Sequence, residues 1–266
     1  MINLEVVDYY RRFWCLKADG EIIVTHSSLL QPVICDSKPA MLKIACATEE
    51  QRGNRLMAFW RGHGAAPVLR SHDNAIVMER ALSEPSLIKM SQTGQDEKAT
   101  TILCQAINNL HNFPKVISFD AVPLQVWFRQ LAVAASLAGG TFQACYAISQ
   151  QLLDETGGQT LLHGDIHHGN VLYFDNHGWL AIDPKGLIGD RYFEYANLFY
   201  NPWDILIEQE RFERRLETVC AVTGLQRGKL LRWIAAWGGL SAAWALQDNI
   251  SADRTLAIAA MAIQRC

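Results

Sequence analysis

Residues 161–190 read LLHGDIHHGNVLYFDNHGWLAIDPKGLIGD, and this stretch decides how the rest of the chain is read. Val171 to Phe174 and Trp179 to Ile182 have the β-branched and aromatic make-up of strands. Asp175, Asn176, His177 and Gly178 between them form a four-residue turn signal, so the spacing predicts an antiparallel hairpin. Pairing Phe174 with Trp179 sets Val171 against Ile182 and, one step further out, Asn170 against Asp183. Opposed Cα atoms lie about 4.5–5.5 Å apart in such a pair. Two oxygen-bearing side chains then converge on one hard cation such as Mg²⁺. Asp165, on the irregular loop before Asn170, can present its carboxylate to the same point. A polar hairpin explains any one of these residues; the three in register point to chemistry.

A free carboxylate beside a metal-binding Asn/Asp pair is what phosphoryl transfer requires. His163-x-Asp165-x4-Asn170 has the spacing of the kinase catalytic loop H-R-D-x4-N, and Asp183 stands where the D-F-G aspartate would, although the triplet here is Asp183-Pro184-Lys185. Asp165 is the candidate catalytic residue, and Asn170 and Asp183 are the candidate metal ligands. A metal-dependent hydrolase is the competing reading, because His163, Asp165, His167 and His168 are closely spaced ligand types. Zinc hydrolases of the metallo-β-lactamase kind have H-x-H-x-D-H; here the order is H-x-D-x-H-H, and His63, His72 and His111 are isolated.

Toward the N-terminus, Met41-Leu42-Lys43-Ile44 places a lysine in an apolar strand, similar to V-A-I-K, and Glu50 on the next helix, with Glu49 beside it, is its candidate partner. No G-x-G-x-x-G precedes Lys43. The turn Thr25-His26-Ser27-Ser28 offers amides and hydroxyls instead, which makes Ser27 and Ser28 candidate phosphate contacts. The backbone of Met78-Glu79-Arg80-Ala81 is a candidate adenine hinge, through Glu79 and Ala81.

The first eighty residues read as β-rich, with Trp14–Leu16 and Glu21–Thr25 forming a hairpin about Asp19-Gly20, further strands near 29–35, 41–46, 67–69 and 75–78, and a helix over 49–60. Beyond Ala81 helical stripes dominate: Ile102, Leu103, Ala106, Ile107 and Leu110 form one, and a second, from Phe142 to Leu153, is ended by Gly157-Gly158. Trp233 to Gln247 is an uncharged run with tryptophans at helical spacing, too short for the roughly 20 apolar residues of a membrane span, and reads as a buried core helix. Composition changes at 79–85. The expectation is an α+β chain with a β-rich nucleotide lobe at 1–81 and a larger helical lobe at 82–266 for catalysis and substrate.

The 266 residues are 50% hydrophobic and 19% charged with a net charge of −3, which excludes disorder and leaves no general basic footprint for nucleic acid. Seven cysteines form no C-x-x-C pair, and MINLEVVDYYRRFW has no apolar signal core. The expectation is a cytoplasmic protein, monomer or weak dimer, with no nucleic-acid or membrane partner. From Asp183 to Glu210 acids at 183, 190, 194, 204, 208 and 210 outnumber bases at 185 and 191. Such an excess suits a cationic substrate, with Asp190 and Glu194 as candidate contacts, although charge runs are commonly solvated faces.

His163-Gly164-Asp165-Ile166-His167-His168-Gly169-Asn170 with Ile182-Asp183-Pro184 resembles the aminoglycoside phosphotransferases. Pro39-Ala40-Met41-Leu42-Lys43, Tyr195-Ala196-Asn197 and Gly239-Leu240-Ser241-Ala242-Ala243-Trp244 look like the streptomycin 6-kinase branch, grouped with the aminoglycoside/hydroxyurea antibiotic resistance kinases. The resemblance implies a bilobal, protein-kinase-like fold, with ATP and Mg²⁺ as cofactors. It implies Asp165 as base, Asn170 and Asp183 on Mg²⁺, Lys43 on the α/β-phosphates paired with Glu50, and a hinge at Met78 to Ala81. The expected reaction moves the γ-phosphate to the 6-hydroxyl of streptidine in streptomycin, inactivating it. Another hydroxylated cationic metabolite, hydroxyurea, or a nucleotide-binding module without catalysis are the alternatives. Gly169 stands where close relatives often have Glu, and Glu194 where Asp is commoner.

Overall fold

The chain begins in a helix that the sequence reading does not anticipate. In the computed structural model, which describes residues 4–113, 119–155 and 158–266, α1 spans Glu5–Phe13 and buries Val7 and Tyr10. Strands β1 (Lys17–Ala18) and β2 (Ile23–Val24) follow. They pair with β3 (Ser28–Cys35), not with each other, so the expected hairpin about Asp19-Gly20 does not form. The reason is Pro32. Proline has no N–H to give a neighbouring strand, and the chain bulges beside it. Asp19 N donates to Pro32 O at 2.9 Å, and a Cβ on Gly20 would lie 2.9 Å from the Pro32 ring.

The lobe continues with β4 (Lys38–Ala45), α2 (Thr48–Trp60), β5 (Val68–His72) and β6 (Ala75–Glu79). The sheet order is β1-β3-β4-β6-β5, with β2 beside β3. Alternating side chains leave opposite faces of a strand, and the two faces here serve different cores. Val33, Leu42, Ile44 and Val77 join Val7 and Tyr10 in a small cluster under α1. Ile76 and Met78 face α2 and join its Leu56, Met57 and Trp60 in the main core, which runs on into the C-terminal helices. Burial of each of these large side chains stabilises the fold by about 1.5–3 kcal/mol.

Next come α3 (Leu87–Gln92), α4 (Asp96–His111), β7 (Val122–Pro123), α5 (Leu124–Trp127), α6 (Arg129–Ala138) and α7 (Gly140–Asp154). Gly157, half of the expected stop after α7, lies outside the described residues. Four short strands follow: β8 (Gln159–Leu162), β9 (Val171–Phe174), β10 (Gly178–Ala181) and β11 (Leu187–Asp190). The chain closes with α8 (Phe193–Ala196), a 3-10 turn (Asn197–Phe199), α9 (Gln209–Thr223), α10 (Arg227–Gln247) and α11 (Asp253–Ile263).

Helix α10 crosses the core, with Trp233, Ile234 and Leu240 buried. Two glycines let it in. A Cβ on Gly238 would lie 2.1 Å from Tyr200 Oη, and one on Gly239 would lie 2.4 Å from Cys145 Cβ. A buried ion pair ties α4 to α9: Arg215 grips both carboxylate oxygens of Asp96 at 2.7 and 2.9 Å and donates to the carbonyls of Leu198 and Asn201 at 2.6 Å. Among the described residues no helix is long and apolar enough to cross a membrane.

Candidate active site

The hairpin at the centre of the site forms, one residue out of the expected register. Phe174 pairs with Gly178 and Val171 with Ala181. Gly178, at φ +74°, is taken into the strand as a bulge-type residue and leaves a three-residue turn. Ile182 therefore stands opposite Asn170, and its N–H donates to Asn170 O at 2.9 Å. Asp183 lies one residue beyond that pair at φ +65°, a left-handed conformation that Asp tolerates better than most residues.

Burial alternates along the loop before β9. Ile166 and His168 point inward, and Asp165 and His167 reach the cleft. Two asparagines hold the Asp165 carboxylate: Asn197 Nδ2 donates to Oδ1 at 3.0 Å, and Asn170 Nδ2 donates to Oδ2 at 3.4 Å and to the Asp165 carbonyl at 2.9 Å. The side chain is 31% exposed at the cleft, yet surrounding protein pushes its carboxyl up to about 7. Lys185 and Asn197 oppose that rise, and the charge of Asp183 adds to it.

Across the cleft, Lys43 on β4 is 5% exposed, a costly position for an unpaired ammonium. It is paired twice, with Glu50 Oε2 at 2.6 Å and with Asp183 Oδ1. Burial acts to raise the Asp183 carboxyl, but Lys43 holds it below the usual range. The other oxygen of Glu50 takes Lys185 Nζ at 2.5 Å, and Glu49 lies 3.5 Å from the same ammonium. Glu50 thus joins a lysine from the sheet to one from the segment after the hairpin. Helix α2 fits closely against that segment: a Cβ on Gly53 would lie 2.1 Å from Pro184 O.

Two cavities meet at Lys185. One, of about 240 Å³, is lined by Thr25, Ser27, Ser28, Lys43, Asp183 and Met78 among others. Thr25 Oγ1 accepts from the amides of Ser27 and Ser28 at 3.4 and 2.9 Å, and Ser28 Oγ donates to Glu50 at 3.4 Å. Beside it the strand ends at Glu79, whose N–H is spent on Pro67 O and whose carboxylate lies 3.2 Å from His177. Among the described residues the Ala81 amide donates to no carbonyl. The second cavity, of about 380 Å³, holds Asp165, Lys185, Glu49 and three tryptophans.

Two expected substrate contacts face elsewhere. Glu194 is 1% exposed, and its carboxylate accepts from the amides of His163 and Gly164 at 2.7 and 2.8 Å. Burial opposes its ionisation, but His111, His163 and the loop amides win and hold it below the usual range. It straps the loop of Asp165 rather than meeting a ligand. Asp190 caps Tyr192 N at 3.0 Å and pairs with Lys229 at 2.6 Å, beside a different cavity. The expected acidic face is otherwise dispersed: Asp204 accepts from Gln92, and Glu210 pairs with Arg214.

The histidines do not assemble a zinc site. His163 Nε2 meets Ile182 O at 2.8 Å while its Nδ1 accepts from Asp165 N, and burial lowers its pKa. His167 Nδ1 accepts from Gly169 N at 3.0 Å. His168 is 2% exposed and held neutral by burial, its pKa lowered to about 3. Among the described residues no group of three or more His, Cys, Asp and Glu side chains could hold a metal ion. The Asn170 and Asp183 pair is a different kind of donor set, hard oxygens of the type Mg²⁺ takes. The Asn170 amide nitrogen is committed to Asp165, which turns its oxygen away from that bond.

Sequence reasoning missed Lys185, Asn197, Trp127, Trp237 and Trp244 as site residues. Lys185 had a signal in its place directly after Asp183-Pro184. Asn197 had one only in the resemblance of Tyr195-Ala196-Asn197.

The family model for aminoglycoside/hydroxyurea antibiotic resistance kinases matches residues 13–249. The chain is 44% identical over 242 residues to a streptomycin 3''-kinase of Klebsiella pneumoniae, covering 89% of this chain and 91% of that protein. It is 28% identical over 256 residues to a streptomycin 6-kinase of Streptomyces glaucescens, covering 90% and 81%. Among solved structures, a thermostable mutant of aminoglycoside phosphotransferase APH(4)-Ia with ADP and hygromycin B superposes with TM-score 0.66 at 14% identity, covering 97% of this chain and 98% of that one. Amicoumacin kinase hAmiN with AMP-PNP, Ca²⁺ and Ami gives 0.68 at 13% identity, covering 99% and 93%. The structural likeness establishes the bilobal, protein-kinase-like fold, and the sequence matches carry the assignment further: the chain belongs to the aminoglycoside/hydroxyurea antibiotic resistance kinase family.

Proposed function

We propose that the chain is an ATP- and Mg²⁺-dependent kinase that phosphorylates a hydroxyl of streptomycin. The observation that carries this reading is Asp165, oriented by two asparagines and opening on a cavity that shares Lys185 with the cavity of Lys43 and Asp183. In this reading lobe 1–81 binds the nucleotide. The Glu79–Ala81 backbone meets adenine, Ser27 and Lys43 hold phosphate oxygens, and Glu50 steadies Lys43; Ser28, its amide given to Thr25 and its hydroxyl to Glu50, braces the turn instead of meeting phosphate. Asn170 and Asp183 are the residues that would hold Mg²⁺, which neutralises phosphate charge when bound. Asp165 orients the acceptor hydroxyl and takes its proton. A carboxyl raised toward neutrality suits that exchange. Most of the rate comes from positioning and charge neutralisation.

The sequence reading expected the 6-hydroxyl. Identity of 44% to a 3''-kinase against 28% to a 6-kinase favours the 3'' position. Phosphorylation at position 6 is the second reading. Dependence on ATP fits work in the cytoplasm. A coupled ADP-release assay with Mg·ATP, run with streptomycin, kanamycin and hydroxyurea and with Asp165→Asn as control, tests the proposal. The expected result is streptomycin-dependent turnover lost in the variant, with the product phosphorylated at 3'' by NMR. Streptomycin that leaves ADP release unchanged overturns it.

A further inference from the structure

The two cavities of the cleft have one side chain in common. Among the described residues Lys185 alone lines both the cavity of Lys43 and Asp183 and the cavity of Asp165. Its backbone is fixed from two sides. Lys185 N donates to His163 O at 2.6 Å, which ties it to the loop of Asp165, and Arg52 Nε on α2 donates to Lys185 O at 2.9 Å. The ammonium has three N–H groups. Glu50 Oε1 takes one at 2.5 Å, and Glu49, at 3.5 Å, stays beyond good hydrogen-bond distance. Donor capacity is therefore left for the cavities. Other cations are scarce. Among the described residues Lys43 and Lys185 are the only Lys or Arg side chains that line either cavity, and Lys43 is paired with Glu50 and Asp183. The loop from His163 to Asn170 contains no Lys or Arg, and burial holds its His167 neutral, the pKa lowered to about 4. Burial raises the Asp165 carboxyl most, and the charge of Lys185 is the strongest influence against it.

A phosphoryl group in transit spreads negative charge over three oxygens. We infer that Lys185 is a further catalytic residue, the group that grips the γ-phosphoryl oxygens as they cross from the nucleotide cavity to the acceptor cavity. The acceptor oxygen bonds to the γ-phosphorus, and the hydroxyl proton goes to Asp165. The bond from that phosphorus to the bridging oxygen breaks, and its electron pair leaves on ADP. Lys185 keeps its proton throughout. Glu50, with a lysine on each oxygen, sets the two ammonium groups side by side: Lys43 serves the phosphates that stay and Lys185 the one that moves. The inference rests on the kinase reading of Asp165 and adds a residue to it.

Calorimetric titration with ADP and with AMP-PNP, both with Mg²⁺, tests it, because only the second carries a γ-phosphoryl group. Lys185→Met is expected to weaken AMP-PNP binding about tenfold and ADP binding no more than about twofold. A lysine that merely neutralises Glu50 and Glu49 would, when lost, weaken both nucleotides alike, and that result overturns the inference, as does an unchanged AMP-PNP affinity. Lys185→Gln keeps a donor for Glu50 without the charge and repeats the contrast should the Met variant unfold. Lys185→Arg keeps the charge and is expected to hold AMP-PNP within about threefold of wild type. In streptomycin-dependent ADP release, Lys185→Met should lower kcat about 100-fold or more, with the KM for streptomycin within about twofold. A kcat left intact overturns the inference. Should the wild type bind both nucleotides and not turn over streptomycin, the acceptor is discarded and the ADP against AMP-PNP contrast still decides Lys185. A wild type that binds neither nucleotide overturns the kinase reading and the inference with it.

Discussion

Asn197 holds Asp165 from a turn 32 residues further along the chain, through a 3.0 Å bond to Oδ1. A carboxylate that must meet an incoming hydroxyl gains from a fixed angle, because a small misplacement can cost about 10²-fold in rate. Asn197→Ala is therefore expected to lower kcat toward that extent while the KM for ATP stays near its wild-type value. An ADP-release assay across both substrate concentrations checks it; a rise in the KM for ATP with kcat intact would contradict the assignment.

Glu194 accepts from two buried loop amides. Glu194→Ala leaves both unpaired, at a cost of about 1–3 kcal/mol for each buried group. Urea unfolding should show the loss, and kcat should fall with it because the strapped loop carries Asp165.

Asp96 gives a pH signature. Burial acts to raise its carboxyl, but the hydrogen bonds and charge of Arg215 outweigh it and hold the pKa at about 2, below the ordinary 3.8. A carboxyl depressed in the folded state contributes stability above its unfolded pKa, and loses that contribution as pH falls through the folded value. Asp96→Ala strands a buried guanidinium and is expected to cost about 3–5 kcal/mol near neutral pH. The gap between variant and wild-type urea midpoints should narrow as pH falls from about 4 toward 2, where the wild-type carboxyl is protonated too.

Gly53 is a contact between lobes. Gly53→Ala places a methyl group on Pro184 O, so α2 must retreat from the segment carrying Asp183 and Lys185. About 1–3 kcal/mol of overpacking strain is expected. The KM for ATP should rise as Glu50 is pulled from its two lysines. Thermal melts and nucleotide titration check both.

That Asp165 and Asn170 meet, and that Lys43 meets Glu50 and Asp183, was legible in their spacing along the chain. The exact pairing was not: Gly178 could end the turn or begin the strand, and its positive φ, invisible in sequence, moved every partner by one. The Asp19-Gly20 signal was overridden by Pro32, a residue distant in the sequence and near in space. Helix α1 carried a signal that the reading passed over: Glu5 and Asp8 in its first turn, Arg11 and Arg12 in its last, and Val7 and Tyr10 three residues apart on one face. Glu194 and Asp190 read as a charged surface because charge patterning does not reveal burial. Trp237 and Trp244 read as core for the opposite reason: helical spacing shows that a face is apolar, not whether protein or a cavity lies against it.

The sheet of the N-terminal lobe has one face in its own small cluster and the other in the core of the C-terminal lobe. A molecule with two lobes therefore need not be two folding units. Scission between Glu79 and Leu87 would strip Ile76, Met78, Leu56, Met57 and Trp60 of their cover and leave a fragment too poor in interior to stand alone. Heat should melt the intact chain in a single cooperative step, so that the hands which hold nucleotide and acceptor are lost together or kept together.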